Sequence, residues 1–425
     1  MSGLGRAWFW VPGTYFAEGG PYAVVAAVSA VLFKSLGMTN SAMAFWTSLL
    51  MLPWAIKPLW TPVLDLFGTK RRWILAAQFA MTLLFTLAAL LMPLEGTTRL
   101  LVAAFFFLAF ASATHDAAVD GFYLIALDEH GQAFFAGIRG TFYRIATVLV
   151  QGALVMLAGW VESRTGEIRS GWCAALAVAA VVMGILSLWH CRALPHPDAD
   201  HPRQREPGRL SREFLDAFGS FFTRPEILSL LCFLLFFRVA EAQLGRIAIA
   251  FMQDPRSAGG LGMSVEEFGL LYGTFGTVAL TAGGICGGLA VARRGFGRML
   301  WPLVCAINLP DIVYVYLAEF QPQSLWIIGS CIAVEQFGYG LGYTAFMLVM
   351  VAAAESSGAY KTSHFAIMTG ISILGLCLIG MISGWVQEFL GFAGFFRYVM
   401  VCTIPGFLVT IPVSRNIPRD FGRKT

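Results

Sequence analysis

Long hydrophobic blocks separated by short polar stretches run along all 425 residues of the chain. A bilayer-crossing α-helix needs about 20 apolar residues, and twelve blocks meet this length. They are predicted near 11–34, 40–62, 73–93, 99–126, 133–161, 171–190, 225–252, 266–292, 299–319, 324–354, 361–388 and 394–414. The blocks are solid, whereas the strands of a membrane β-barrel alternate apolar and polar residues. The pattern predicts an all-α polytopic membrane protein.

Composition agrees with this prediction. The chain is 57% hydrophobic and 13% charged, whereas a soluble domain carries about a quarter charged residues. The start, MSGLGRAWFW, is too short and wrongly arranged for a cleaved signal peptide, so the first block is interpreted as a retained helix. The eight cysteines show no CxxC spacing, which argues against a disulfide framework and a zinc site.

The longest polar stretch divides the twelve blocks into two sets of six. It runs from Cys191 to Phe214. We therefore expect an N-terminal half at 1–190, a cytoplasmic linker at 191–223 and a C-terminal half at 224–425.

Basic residues orient the chain, because Lys and Arg accumulate in cytoplasmic loops. The loops at 70–72, 192–212, 293–298 and 415–424 contain fifteen Lys and Arg, whereas the loops on the opposite side contain four. Both termini are therefore predicted to be cytoplasmic.

The two halves also repeat a feature. LDLFGTKRR (64–72) follows the second block and VARRGFGR (291–298) follows the eighth, so each half has a glycine-containing basic turn after its second helix. Six-plus-six pseudo-repeats with a basic central loop are typical of the major facilitator fold. In such transporters two halves rock around a site near the bilayer midplane.

Ten ionisable residues fall well inside the predicted spans. Each charge at a helix centre costs about 2.5–3.5 kcal/mol on insertion scales, so these groups are expected to face one another or a watery cavity. The residues are Glu18, Lys57, Asp116, Asp120, Arg139, Arg144, Arg238, Glu241, Asp311 and Glu335.

In the first half, Asp116 and Asp120 are four residues apart and share one helix face, which we expect to meet Arg139 or Arg144. One interpretation is a set of interhelical ion pairs that close a cytoplasmic gate. The other is that protonatable carboxylates couple proton entry to the rocking motion. The candidates for proton coupling are Glu18, His115, Asp116 and Asp120. His115 also fits a hydrogen-bonded interior histidine.

In the second half, Arg238 and Glu241 are three residues apart on one helix. They either neutralise each other, or Arg238 binds a substrate carboxylate. Glu335 lies near mid-span, and its carboxylate, with the amide and phenol groups that follow, suits a site for sugar hydroxyls. The substrate-binding candidates are Arg238, Glu241, Glu335, Gln336, Tyr339 and Tyr343.

No cofactor or metal is expected. The chain has no GxxxxGK[ST] phosphate-binding loop, and His196 and His201 lack the ligand spacing of a metal site. The energy of transport is therefore expected to come from an ion gradient or from the substrate's own gradient.

Several stretches resemble the AmpG-like muropeptide permeases. LPWAIKPLWTPVLDLFGTKRRWILAAQ (52–78) resembles that family's second-helix signature, ASATHDAAVDGFY (111–123) its fourth-helix pattern and YRIA (143–146) its Tyr-Arg-Leu-Gly. SHFAIMTGIS (363–372) and SGWVQEFLGFAGFF (383–396) resemble its eleventh-helix and following loop signatures. Lys57, Asp65 and Arg71 fall on the first signature, and together with Arg139 and Arg144 they are the candidates for a gate of ion pairs.

Two departures from the family pattern stand near the expected path. His115 replaces the usual Gln and a basic residue usual near Tyr123 is missing, while FAEGGPY (16–22) adds Glu18 to the first-helix motif.

The resemblance implies a monomeric inner-membrane importer of anhydromuropeptides or related amino-sugar glycan fragments, driven by proton symport. The expected partners are a small-molecule substrate, protons and the lipid bilayer, with no nucleic acid. The alternative is a proton-coupled sugar or oligosaccharide symporter of glycan scavenging. A membrane-embedded enzyme using His115 and Asp116 is disfavoured, because the charges are spread over both halves instead of converging on a nucleophile or metal. A receptor or scaffold would leave the buried carboxylates unexplained.

Overall fold

The computed structural model describes residues 3–200, 207–415 and 421–422, without the side chains of 3–4, 62–63, 65–66, 207–214 and 359. The helices are α1 (Gly5–Ser35), α2 (Asn40–Leu49), α3 (Leu52–Leu66), α4 (Lys70–Leu91), α5 (Thr98–Ala126), α6 (Glu129–Thr165), α7 (Ile168–Ala193), α8 (Pro207–Phe222), α9 (Ile227–Gln253), α10 (Val265–Arg294), α11 (Phe296–Phe320), α12 (Leu325–Glu355), α13 (Lys361–Met381) and α14 (Ser383–Ser414). No β-strand occurs in these described ranges. The all-α prediction is confirmed.

Eleven of the described helices are long and apolar enough to cross a membrane. The predicted span 40–62 is the twelfth region, and there the chain forms two shorter helices, α2 and α3, separated by a turn at Leu50 and Met51. The predicted linker at 191–223 contains the helix α8. The eleventh span ends earlier than predicted, at Met381, because the chain turns at Ile382 and bends again at Gly391, whose φ is 68°.

Local sequence signals fix several helix starts. Thr39 Oγ1 accepts a hydrogen bond from the Ala42 N–H at 3.2 Å before α2, and Asp128 accepts one from the Gly131 N–H at 2.9 Å before α6. Ser264 forms a capping box before α10 with the side chain of Glu267. Each cap satisfies backbone donors that the first helical turn leaves unpaired.

Contacts group the chain into two compact units. The first contains Met1–Gly37, Ile56–Pro207 and Ser264–Gly273, and the second contains Met38–Ala55, Gly208–Met263 and Thr274–Thr425. Each unit thus combines one predicted half with a short segment of the other.

In the first unit, α4 packs against α5 and α7, and α1 packs against α6. The start of α10 lies directly on α6, where a Cβ on Gly159 would come within 2.4 Å of the Glu266 nitrogen and a Cβ on Gly273 within 1.9 Å of the Gln151 oxygen. Only glycine permits such close backbone contact.

In the second unit, α12 packs tightly against α10 and α11. A Cβ on Gly340 would lie 1.9 Å from the Leu280 oxygen on α10, and a Cβ on Gly338 would lie 2.5 Å from the Ala306 oxygen on α11. The segment α2 packs on α13 and α14, and the Asn40 amide donates there to Gln387 Oε1 at 2.7 Å. Small residues at helix crossings are a common packing solution in membranes.

Candidate functional site

Among the described residues of the first unit, two interhelical ion pairs use carboxylates of α5. Lys57 Nζ on α3 donates to Asp116 Oδ2 at 2.7 Å. Arg139 Nη1 on α6 lies 3.4 Å from Asp120 Oδ1. The one-turn spacing of the two aspartates presents both to the surrounding helices, so α5 is tied to α3 and to α6.

Two tyrosines that the sequence analysis did not single out complete the Asp120 pair. Tyr15 OH donates to Asp120 Oδ1 at 3.0 Å and accepts from Arg139 Nη1 at 3.2 Å. The Arg139 guanidinium also lies 5.0 Å from the ring centroid of Tyr123, a cation–π distance. The sequence held one signal for Tyr15, because it precedes Glu18 by three residues and shares its helix face.

Glu18 lies buried among these pairs. It is 9% exposed, and its Oε2 has no hydrogen-bond partner among the described residues. Its electrostatic neighbours are the two aspartates and the two cations of the ion pairs. We call Glu18, Lys57, Asp116, Asp120 and Arg139 the first-unit charge cluster; it contains three acids and two bases.

His115 points to a different group of side chains. Gln78 Nε2 lies 2.9 Å from His115 Nε2, Gln78 Oε1 lies 3.0 Å from His190 Nδ1, and all three residues are fully buried. Because an amide NH₂ only donates and its oxygen only accepts, His115 Nε2 is assigned as an acceptor and His190 Nδ1 as a donor. The arrangement matches that of a hydrogen-bonded interior histidine.

Among the remaining gate candidates, Arg71 contacts backbone carbonyls near the end of α7. Arg71 Nη2 donates to the Cys191 carbonyl at 2.6 Å and its Nε to the Leu194 carbonyl at 3.3 Å, so it holds the end of α7. Arg144 is exposed on α6, five residues after Arg139. The side chain of Asp65 lies outside the described part of the chain.

In the second unit, Arg238 and Glu241 form a bidentate pair on α9. Arg238 Nε donates to Glu241 Oε2 at 2.6 Å, and Nη2 donates to Oε1 at 2.5 Å. Tyr339 OH on α12 lies 2.9 Å from Arg238 Nη2 and donates to Glu241 Oε1 at 2.5 Å. The guanidinium also lies 5.1 Å from the ring centroid of Tyr343. Helix α9 is interrupted at Phe237 and Arg238, which places this pair at a helix start.

Glu335 and Gln336 form a separate polar group on the same helix, α12. The Gln336 amide donates to Glu335 Oε2 at 2.9 Å, and Tyr314 OH on α11 donates to the same oxygen at 3.2 Å. Asp311, 5% exposed, lies within electrostatic reach of Glu335. Tyr314 was missed by sequence reasoning, because nothing local marked it as the partner of a carboxylate on another helix.

The chemistry available in both units is that of carboxylates, guanidinium, amide and phenol groups. No set of three or more His, Cys, Asp or Glu side chains within the described ranges is arranged to hold a metal ion. Such polar groups exchange protons and hydrogen-bond hydroxyl and amide groups of a polar substrate.

Comparison with known proteins agrees with this organisation. The model of the Major Facilitator Superfamily matches residues 13–384. An anhydromuropeptide permease of Escherichia coli K12 is 24% identical over 95% of this chain and 78% of its own length. An uncharacterised protein of Haemophilus influenzae is 27% identical over 84% of this chain and 83% of its own length.

Among solved structures, a mutant of the nucleoside transporter NupG superposes with a TM-score of 0.71 at 16% identity, covering 96% of this chain and 99% of its own. At this identity the likeness shows the fold alone. Together with the apolar helices, the family match means that the polar groups described above belong to a multi-pass membrane transporter for a small-molecule substrate, and not to an enzyme. The chain belongs to the Major Facilitator Superfamily.

Proposed function

We propose that this protein imports anhydromuropeptides or related amino-sugar glycan fragments across the inner membrane, as a monomer, by proton symport with alternating access. The observation that carries the proposal is the first-unit charge cluster. Its three acids face two bases, so the acids outnumber the bases by one within this cluster of described residues. A buried carboxylate without a counter-charge takes up a proton, which is the elementary step of proton coupling.

Glu18 is the proton acceptor in this proposal, with Asp116 as its partner in coupling. Glu18 Oε2 has no hydrogen-bond donor to stabilise an ionised carboxylate, whereas the Lys57 ammonium holds Asp116. Protonation of Glu18 removes a negative charge beside both ion pairs. The attraction between α5 and its neighbours then changes, and so does the balance between the two access states.

The substrate class is supported by the similarity to the anhydromuropeptide permease over 95% of this chain. The motifs that carry the resemblance contain Lys57, Asp116 and Asp120, three of the five residues of the first-unit charge cluster. The same groups that support proton coupling therefore lie on the stretches shared with that family.

One observation favours the alternative, a proton-coupled symporter of uncharged sugars or oligosaccharides. Arg238, the candidate for binding a substrate carboxylate, already has both its Nε and Nη2 engaged by Glu241. A peptide-bearing substrate carries carboxylates that need such a cation, whereas an oligosaccharide does not. Glu335, Gln336 and Tyr343 carry carboxylate, amide and phenol groups, the types of group that hydrogen-bond sugar hydroxyls.

Uptake of two labelled compounds distinguishes the substrates. GlcNAc-anhydromuropeptide and a GlcNAc oligosaccharide are supplied to cells that lack their own permease and express this protein, with and without a protonophore. We expect muropeptide accumulation that collapses with the protonophore. Cells producing Glu95→Gln, a change of an exposed loop carboxyl, serve as the matched control.

Each other outcome changes a different part of the proposal. Accumulation of the oligosaccharide alone selects the alternative substrate and keeps proton coupling. Muropeptide uptake that survives the protonophore contradicts proton symport. If neither compound accumulates, both substrate assignments are contradicted. The departures from the family pattern at Glu18 and His115 are then the first positions to test for a different substrate.

A further inference from the structure

Helix α11 is interrupted deep in the second unit. Regular α-helix ends at Asn308, Leu309–Asp311 form a single 3₁₀ turn that contains Pro310, and α-helix resumes at Ile312. The turn leaves Asp311 facing the interior, where it is 5% exposed. Helix α12 reaches this point because Gly338 lets it approach, and a Cβ there would lie 2.6 Å from Pro310 Cγ.

Asp311 has no hydrogen bond and no ion pair among the described residues. A carboxyl group in this position is costly when ionised, because neither bulk water nor a protein donor compensates its charge.

The charges that reach Asp311 are negative. They are the carboxylates of Glu335 on α12 and Glu241 on α9. Of the other helices packed against α11, α14 contributes the Phe396 ring, which stacks on Tyr314 at 5.3 Å, and Arg397, which is ion-paired with Glu319 of α11. In the described part of the chain no positive charge is directed at Asp311.

Arg238 does not supply the missing positive charge. Its guanidinium is bound twice by Glu241 and also contacts Tyr339. One cation is thus matched to one carboxylate, and Asp311 and Glu335 remain without a counter-ion.

The two remaining carboxyl groups differ in their hydrogen bonds. Glu335 Oε2 accepts from Tyr314 OH and from the Gln336 amide, which stabilise a negative charge. Asp311 accepts from no donor in the described part of the chain. When the two groups hold a single proton between them, these hydrogen bonds to Glu335 favour its location on Asp311.

We propose that Asp311 and Glu335 form a proton-binding site in the second unit, with the proton carried by Asp311. The site is separate in sequence and in structural unit from Glu18 and the first-unit charge cluster. The role of this site in transport rests on the proposed function, proton symport. The presence of a bound proton at the site can be tested without any substrate.

Infrared difference spectroscopy of the purified full-length protein in lipid tests the site directly. We expect a C=O stretching band of a protonated carboxylic acid at neutral pH that shifts in D₂O and bleaches reversibly as the pH rises. The Asp311 component of this band is expected to be missing in Asp311→Asn and present in Glu18→Gln, in Glu335→Gln and in the control Glu95→Gln. Size-exclusion profiles and melting curves establish that each variant is folded.

Three results would overturn the proposal. One is an unchanged band in folded Asp311→Asn. The second is loss of the band in Glu335→Gln, which would place the proton on Glu335 instead of Asp311. This result contradicts the proposal even if Asp311→Asn does not fold. The third is displacement of the band by NaCl but not by choline chloride at constant pH, which marks a sodium site instead.

Transport assays separate this site from the proposed function. For Asp311→Asn we expect substrate exchange without a gradient to continue, and gradient-driven accumulation to fall. If the band behaves as expected but no muropeptide is transported, the substrate assignment fails and the proton site stands. If muropeptide uptake is proton-driven while the Asp311 band is absent from the wild type, the proton site fails and the proposed function stands.

Discussion

The two polar regions of this transporter solve the problem of buried charge differently. In the first unit, the Lys57–Asp116 and Arg139–Asp120 pairs each join two helices. In the second unit, Arg238 and Glu241 neutralise each other within one turn of α9. An interhelical pair stores energy in the relative position of its helices, whereas a pair on one helix moves with that helix and leaves its energy unchanged.

This difference assigns the two regions different parts in a conformational cycle. Rearranging the first-unit helices changes ion-pair distances, so the charge cluster responds to movement. The Arg238–Glu241 ion pair lies on one helix, so its charge neutralisation does not depend on such movement, although Tyr339 hydrogen-bonds it to α12. It leaves Asp311 and Glu335 without a counter-ion in the described part of the chain. Salt bridges that form and break are suited to gating, and an uncompensated carboxyl is suited to holding a proton.

The largest expected effect breaks the first region. Asp116→Asn removes the partner of the Lys57 ammonium and one member of the proposed coupling pair. We expect gradient-driven accumulation to be lost completely, with folded protein still present in the membrane. Uptake of labelled substrate, normalised to the amount of protein, measures it. Accumulation at the wild-type level would exclude Asp116 from coupling.

The second prediction probes the pair of the second region. Arg238→Met leaves the partly buried Glu241 carboxylate without its cation and is expected to lower the free energy of unfolding by about 3 kcal/mol, the lower end of the range for breaking a buried pair. The double variant Arg238→Met/Glu241→Gln is expected to recover most of this loss, because both charges are removed. Denaturant or thermal unfolding in lipid or detergent provides the comparison. Equal stability of the single and double variants would show that the pair is not energetically coupled.

A smaller effect is expected from the close helix crossing that brings α12 to Asp311. In Gly338→Ala the new methyl group meets the Ala306 carbonyl and Pro310, with an expected loss of about 1–3 kcal/mol. Gly288→Ala is the matched control, because a Cβ at Gly288 meets nothing within 4 Å, and its effect is expected to stay within about 0.5 kcal/mol. Melting curves that rank the two variants in the opposite order would contradict this packing account.

The smallest effect is expected at Arg139. The side chains of Arg139 and Asp120 are 40% and 52% exposed, so their 3.4 Å pair is weak in stability terms. Arg139→Gln is expected to cost about 1 kcal/mol or less, while the rate of uptake falls modestly because α5 and α6 lose a link. Unfolding curves and initial uptake rates are measured side by side. If Arg139→Gln lowered the free energy of unfolding as much as Arg238→Met, the proposed difference between the first-unit and second-unit ion pairs would be contradicted.

Sequence reasoning located most of the charged groups and some of their partners, namely Arg139 as one of two alternatives for the aspartates of α5, and Glu241 for Arg238. Features defined by sequence spacing alone can be predicted without a structure. They are the ten charges inside the apolar segments, the one-turn spacing of Asp116 and Asp120, and the i, i+3 relation of Arg238 and Glu241. Tyr15 and Tyr314 were missed, because phenols are unremarkable in an apolar helix until a carboxylate from another helix faces them. The pairing of Asp120 with Arg139 likewise depends on how α6 is rotated.

The sequence by itself determined the membrane class, the approximate bounds of the apolar segments, and the family. Hydrophobic length is summed along the chain, so it needs no knowledge of packing. The tertiary structure decided which charges neutralise one another and which remain. That outcome depends on helix rotation, on glycine-permitted approach and on a helix interruption at Asp311, where small shifts of a helix decide whether a carboxylate has a partner.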